Sequence, residues 1–106
     1  MTVRGREAGK KLRAGKIYEM IGEPATAIAL YEGLIRDGFT IRPPFERLAI
    51  LYRKLRRLDD EERIARLAIS CMSERAGMWF GKRLVFIRHQ RERMAVEQLT
   101  RVASQA

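Results

Sequence analysis

Small and large apolar residues recur along this chain at the spacing of packed helices, and helix-breaking residues divide them into segments. Gly22 followed by Pro24 marks a helix end and a helix start, and Gly38 and Gly77 mark two further breaks. The pattern predicts four helices, at about 7–21, 24–37, 44–57 and 60–75.

The C-terminal segment has no glycine or proline after Gly81 and is rich in good helix formers. We favour one long helix over 78–104 rather than a final hairpin. Earlier in the chain, Asp59 followed three residues later by Glu62 is similar to a capping box at a helix start.

Aromatic residues repeat in phase. Tyr18, Tyr52 and Phe86 stand 34 residues apart, and Phe45 and Trp79, each seven residues before one of the last two, are also 34 apart. Such a period is typical of stacked helical repeats. An ordinary helical bundle whose aromatics coincide in phase remains the alternative.

Around these aromatics the chain resembles the tetratricopeptide repeat (TPR), whose pattern is W-x2-L-G-x2-Y, then A-x3-F, then P. The matching residues are Ala14, Gly15, Tyr18, Ala27, Ile28, Tyr31, Phe45, Leu48, Ala49 and Tyr52. The resemblance implies an all-α domain over 1–106, built from TPR-like antiparallel helix pairs in a short right-handed solenoid. Its units span about 8–41 and 42–75, followed by a degenerate third at 76–106.

Residue size alternates as close helix packing requires. We expect the small residues Gly15, Ala27 and Ala49 to admit neighbouring helices, while large aromatics fill the spaces between units: Tyr18, Tyr31, Phe45 and Tyr52. In the third unit, Lys82 and Arg83 replace the Leu-Gly pair. This unit is therefore predicted to be a cap with a solvated outer face.

Charge is the most prominent feature of the composition. The net charge is +9 and the pI is about 10.6, with 46% hydrophobic and 33% charged residues. Such an excess attracts polyanions, although Arg-rich solvated helix faces are the alternative. No apolar run approaches the roughly 20 residues that span a bilayer. We expect no membrane partner and a cytoplasmic protein.

The chain offers little for catalysis. Cys71 and His89 lack a third group or an oxyanion loop, and we expect Cys71 to be buried and His89 exposed. The acidic run 59–62 suits a helix start, because adjacent helical residues point in different directions. We predict no enzyme activity, no metal site and no cofactor.

The resemblance implies a groove lined by the first helix of each unit, which binds a peptide or protein surface. We expect that partner to be acidic, because most of the charged residues in the groove are cations. The predicted groove residues are Leu12, Lys16, Glu19, Met20, Glu46, Ile50, Arg53, Lys54, Phe80, Leu84, Ile87 and Arg88. For Leu84 and Ile87, a place in the core is the favoured explanation, because apolar stripes at helical spacing are usually core.

Two further partners are considered. Nucleic acid is the alternative ligand, bound through phosphates without strong sequence specificity. The predicted phosphate contacts are Lys10, Lys11, Arg13, Arg56, Arg57, Lys82, Arg83, Arg91 and Arg93. A continuous C-terminal helix would also leave the apolar cluster 94–102 without a partner, which suggests a homodimer through that helix.

Overall fold

The computed structural model describes residues 3–105, and every regular element in that range is a helix. The helices are α1 (Val3–Met20), α2 (Pro24–Arg36), α3 (Arg42–Lys54), α4 (Leu58–Cys71) and α5 (Glu74–Gln105). Met1, Thr2 and Ala106 lie outside the described residues. The all-α prediction is confirmed, the helix boundaries agree to within a few residues, and 78–104 is one helix rather than a hairpin. The break predicted at Gly77 is wrong, because the chain turns earlier, at 72–73, and Gly77 lies buried inside α5.

Three of the helix ends close with the same hydrogen-bond pattern. After α1, the Glu23 amide donates to the Tyr18 carbonyl at 2.8 Å, and Gly22 has φ +77°. After α2, the Phe39 amide donates to the Leu34 carbonyl at 3.1 Å, with φ +90° at Gly38. These are Schellman ends, which need a residue in the left-handed region, usually glycine. The predicted breaks at both glycines follow from this requirement.

The end of α3 uses the same pattern with an arginine in the glycine position. The Arg57 amide donates to the Tyr52 carbonyl at 2.8 Å, and Arg56 has φ 58°. The Arg57 guanidinium also lies 4.7 Å from the centre of the Tyr52 ring. This turn connects α3 to α4 at the edge of the cleft described below.

Each helix packs on the next one along the chain, and the core lies along these contacts. The largest buried side chains are Tyr31, Tyr52, Phe45, Phe80, Leu34, Leu48, Ile64 and Ile87. Gly15 lets α1 approach α2 closely, since a Cβ there would lie 2.5 Å from Cε1 of Tyr31. Gly15, Ala27 and Ala49, the small residues expected to admit neighbouring helices, are all buried.

Two clusters of hydrogen-bonded side chains each connect three consecutive helices. Each consists of one glutamate, one tyrosine and one arginine, and we call them the first and second polar clasps. In the first, Glu19 of α1 accepts hydrogen bonds from the Tyr31 hydroxyl of α2 at 2.5 Å and from Nε of Arg47 of α3 at 3.1 Å. Buried polar groups are satisfied in this way across helix interfaces.

In the second clasp, Glu32 of α2 accepts hydrogen bonds from the Tyr52 hydroxyl of α3 at 2.6 Å and from Arg63 of α4 at 2.5 Å. Its glutamate, tyrosine and arginine come from three consecutive helices, as in the first. The sequence predicts both tyrosines only as packing groups, and their hydroxyl contacts are seen only in the structure.

Several expectations about single residues are wrong. Tyr18 is 37% exposed rather than packed between units, because it lies on a face of α1 that none of the described helices covers. Cys71 is exposed, since it ends α4 where the chain turns. The capping box does not form: α4 begins at Leu58, so Asp59 lies inside the first turn, and the residue before the helix, Arg57, makes no side-chain cap.

The last part of α5 extends beyond the rest of the molecule. Every residue from 91 to 105 is exposed, and the described chain measures 63 × 33 × 18 Å. The exposed apolar side chains here are Met94, Val96, Leu99 and Val102, with Leu99 70% exposed. The predicted overhang of this cluster is confirmed. We call residues 91–105 the α5 overhang below.

Candidate functional site

A cleft of about 650 Å³ lies between the C-terminal end of α3, the turn that follows it and one face of α5. Its lining comprises Arg53, Lys54, Arg56, Leu58, Phe86, Gln90, Arg93, Met94 and Glu97. The α5 residues recur every three or four positions, so they share one face of that helix. We call this feature the basic cleft.

The basic cleft has four cations, and they are positioned by two helices and a turn. Arg53 and Lys54 occupy the last turn of α3, where positive charge also complements the helix dipole. Arg56 is held in the left-handed turn, and Arg93 extends from α5. None of the ion pairs among the described residues involves any of the four. Their charge therefore remains available to a ligand.

Phe86 supplies the floor of the cleft next to Arg53, whose guanidinium lies 3.7 Å from the ring centre. At that distance the cation and the ring attract each other, and the arginine is held in place. Leu58 and Met94 add apolar surface on either side. The cleft can thus contact an apolar side chain and neighbouring carboxylates together.

A buried carboxylate lies behind this region. Glu61 of α4 is fully buried, and its Oε2 lies 3.4 Å from Nε of Arg83 of α5. Within residues 3–105 neither carboxylate oxygen of Glu61 has a hydrogen-bond partner, and neither does that nitrogen. Burial raises the pKa of Glu61, and the charge of Arg53 only partly offsets the rise. Arg53 thus acts on both the cleft and the core.

A second cleft, of about 450 Å³, lies on the α4 side of α5. One of its two acidic residues, Glu62, already pairs with Arg66 at 3.2 Å and with Arg91 at 2.9 Å. Because these charges neutralise one another, this cleft has less capacity than the basic cleft to recognise a charged ligand.

The predicted groove residues divide into three groups. Phe80 is a correction: it is 0% exposed and belongs to the core, because α5 turns that face toward the helices before it. Ile87 is 1% exposed, so the core place favoured for it is confirmed and it does not line a groove. Glu19 is a further correction, since its side chain is 11% exposed and is engaged by Tyr31 and Arg47.

The remaining groove residues are accessible to different degrees. Leu12, Ile50 and Leu84 are half-buried, and Glu46 pairs with Arg42 at 2.9 Å. The other predicted residues reach solvent: Lys16, Met20, Lys54 and Arg88 are exposed, and Arg53 is partly exposed. Only Arg53 and Lys54 of the predicted set line the basic cleft.

The predicted phosphate contacts are largely occupied by the protein's own acids. Lys10, Lys11, Arg57 and Arg91 each pair with a carboxylate. Arg83 is a correction: its side chain is 16% exposed and faces Glu61, so it is neither a phosphate contact nor part of a solvated outer face. Arg13, Arg56, Lys82 and Arg93 have no ion-pair partner among the described residues, and two of them, Arg56 and Arg93, lie in the basic cleft.

Five cleft residues were not predicted from the sequence as site residues: Leu58, Phe86, Gln90, Met94 and Glu97. A signal for the α5 members is present, because positions 86, 90, 93, 94 and 97 follow helical spacing. Nothing in the sequence indicates that this face of α5 opposes the end of α3.

Within residues 3–105, no three histidine, cysteine, aspartate or glutamate side chains lie together as a metal site requires. The same residues include no helix that is long and apolar enough to cross a membrane. Protein-family models, curated proteins and solved structures give no match to this chain. The resemblance to the TPR therefore rests on the phase and identity of the residues.

Proposed function

We propose that the protein is a non-catalytic interaction module with TPR-like helix pairs, which binds an acidic and partly apolar segment of another protein in the basic cleft. The observation that carries this proposal is that one cleft combines two features. Four of its cations have no ion-pair partner among the described residues, and Phe86, Leu58 and Met94 add apolar surface beside them. Apolar contact gives affinity, and complementary charge gives specificity and fast association.

The backbone of Arg56 supports a binding role for this cleft. A non-glycine residue in the left-handed region costs about 1–2 kcal/mol, and the two equivalent turns use glycine. Residues with such strained backbone angles concentrate at functional sites, where the role of the side chain compensates for the strain. Here an arginine replaces glycine at the edge of the basic cleft.

Nucleic acid is a less favoured ligand for two reasons. Five of the nine predicted phosphate contacts face the protein's own carboxylates. In addition, arginine guanidinium groups lie over the rings of Phe39, Tyr52 and Trp79. Bases stack on open aromatic faces, and these three rings each have a cation in that place.

A fluorescent peptide in which glutamates alternate with leucine and phenylalanine tests the proposal by titration. We expect the double variant Lys54→Glu, Arg93→Glu to bind it about tenfold more weakly, since each lost charge pair contributes roughly 0.2–1 kcal/mol and repulsion is added. The matched control is Arg36→Glu, Arg75→Glu, which changes net charge equally at exposed residues outside the cleft.

Equal weakening in the two double variants would show that only net charge matters, and the cleft would lose its role. The same proteins are titrated with duplex and single-stranded nucleic acid at two salt concentrations. Tight binding that falls steeply with salt and is reduced equally by both double variants would favour nucleic acid instead.

A further inference from the structure

The α5 overhang carries an apolar stripe that nothing in the described chain covers. Ala95, Val96, Leu99, Val102 and Ala103 lie within about 60° of the direction of Leu99 around the helix axis. From 93 to 103 the charged residues are Arg93, Glu97 and Arg101, and they point about 120° or more away from Leu99. At the start of the overhang, Arg91 points about 80° and Glu92 about 20° from Leu99, so the apolar face begins after Glu92. The overhang is therefore an amphipathic helix with an exposed apolar face.

The order of residues in this stripe is symmetric about Leu99. Val96 and Val102 stand three positions to either side, and Ala95 and Ala103 four positions to either side. A two-fold axis brings residue i of one copy to residue j of the other and j to i. In an antiparallel pair centred on Leu99, Val96 of one copy lies level with Val102 of the other, and Ala95 with Ala103.

The position of this symmetry centre matches the shape of the molecule. The exposed stretch runs from 91 to 105, so its midpoint lies next to Leu99. An antiparallel pair centred there overlaps almost only the two overhangs and leaves the rest of each copy at opposite ends. From these observations we infer that the partner of the α5 overhang is a second copy of this chain, paired antiparallel through Leu99.

Charge also favours this arrangement over other contacts between copies. The whole chain has a net charge of +9, but residues 91–105 contain three arginines and two glutamates. An overlap of this stretch keeps the remaining positive charges apart by about 20 Å along the helix, beyond the screening length of roughly 8 Å in physiological salt.

The two copies meet without obstructing the basic cleft. Arg93, Met94 and Glu97 of the cleft lie on the side of α5 that faces away from the stripe. Because the overlap is short and its side chains are mostly small, we expect a reversible dimer that dissociates on dilution, as small interfaces do.

Sedimentation over a concentration series tests the inference. The wild-type mass is expected to approach twice the monomer mass as concentration rises, while Leu99→Glu stays monomeric. Met94→Glu places the same charge on the opposite side of the overhang and should still dimerise. Unchanged helix content by circular dichroism in both variants separates loss of the dimer from loss of the fold.

Cross-linking tests the register. In a Cys71→Ser background, a mixture of Val96→Cys and Val102→Cys chains treated with a short bis-maleimide should give mainly the mixed 96–102 product. A monomer at all concentrations, dimerisation of Leu99→Glu like the wild type, or mainly 96–96 and 102–102 products would each overturn the inference.

Discussion

At the scale of single residues, Gly15 determines how closely α1 approaches α2. A Cβ at this position would meet the Tyr31 ring at 2.5 Å, and that ring is fully buried and held by Glu19. Gly15→Ala is therefore expected to lower the free energy of unfolding by about 1 kcal/mol or more, because overpacking outweighs the better helix propensity of alanine. Urea denaturation measures the change.

Gly81 is the matched control, because it also lies inside a helix but nothing approaches its added Cβ within 4 Å. Gly81→Ala should raise the free energy of unfolding, by up to about 1 kcal/mol. If Gly15→Ala stabilised the protein as much as Gly81→Ala, the close approach of α1 to Tyr31 would be contradicted.

Arg56 is expected to affect both the stability of the protein and its proposed binding of an acidic peptide. Arg56→Gly removes the strain of a left-handed arginine and should stabilise the protein by about 0.5–1 kcal/mol, allowing for the greater unfolded-state entropy of glycine. The same change should weaken binding of the acidic peptide. Urea denaturation and the peptide titration give the two measurements.

Arg56→Gln is the matched control for this trade-off, because it removes the charge and keeps a side chain at φ 58°. It should weaken peptide binding like Arg56→Gly but bring no gain in stability. Stabilisation by both variants, or binding unchanged in both, would contradict the argument.

At the scale of helices, two buried glutamates have pKa values shifted in opposite directions. Burial alone raises the pKa of Glu19, but hydrogen bonds from Arg47 and Tyr31 outweigh it, and the net pKa lies below the usual 4.5. Glu61 receives no hydrogen bond from the described residues, and its pKa is raised. The first carboxylate holds α1, α2 and α3 together as an anion, and the second is buried with an ion pair alone.

These opposite shifts predict opposite pH dependence. The depressed pKa of Glu19 adds stability that is present above about pH 4.5 and is lost as the pH falls. The raised pKa of Glu61 has the reverse sign, so stability is lost as the pH rises from about 4.5. From pH 4 to 7, the wild type should gain stability relative to Glu19→Gln and lose stability relative to Glu61→Gln.

Urea denaturation of the three proteins at each pH gives these differences, and comparison within the set cancels the titration of all other groups. A wild type that gained stability over Glu61→Gln as the pH rose would show that the Arg83 ion pair outweighs the burial of Glu61. Parallel curves for Glu19→Gln and the wild type would contradict the first clasp.

At the scale of the whole molecule, α5 contributes to three different surfaces. Its first half completes the core through Phe80 and Ile87, one side lines the basic cleft, and the overhang carries the stripe centred on Leu99. A dimer through that stripe would hold two basic clefts on one particle. A partner with two acidic segments could then bind with increased avidity if its linker spans them.

The sequence by itself determined the helices, because their signals are local. Gly22 and Gly38 end helices through left-handed turns, and the C-terminal run lacks any breaker, so the single helix over 78–104 was predictable. The burial of Gly15, Ala27 and Ala49 followed from residue size and repeat phase. The apolar overhang followed from the length of α5.

Only the tertiary structure decided which polar groups meet. Glu19 and Arg83 look like surface charges in the sequence, yet one bonds to Tyr31 and Arg47 and the other faces the buried Glu61. The basic cleft likewise joins Arg53 of α3 to Phe86 of α5, 33 positions apart. Such contacts depend on the relative placement of distant helices, because a charged side chain carries no local signal of the partner it will reach.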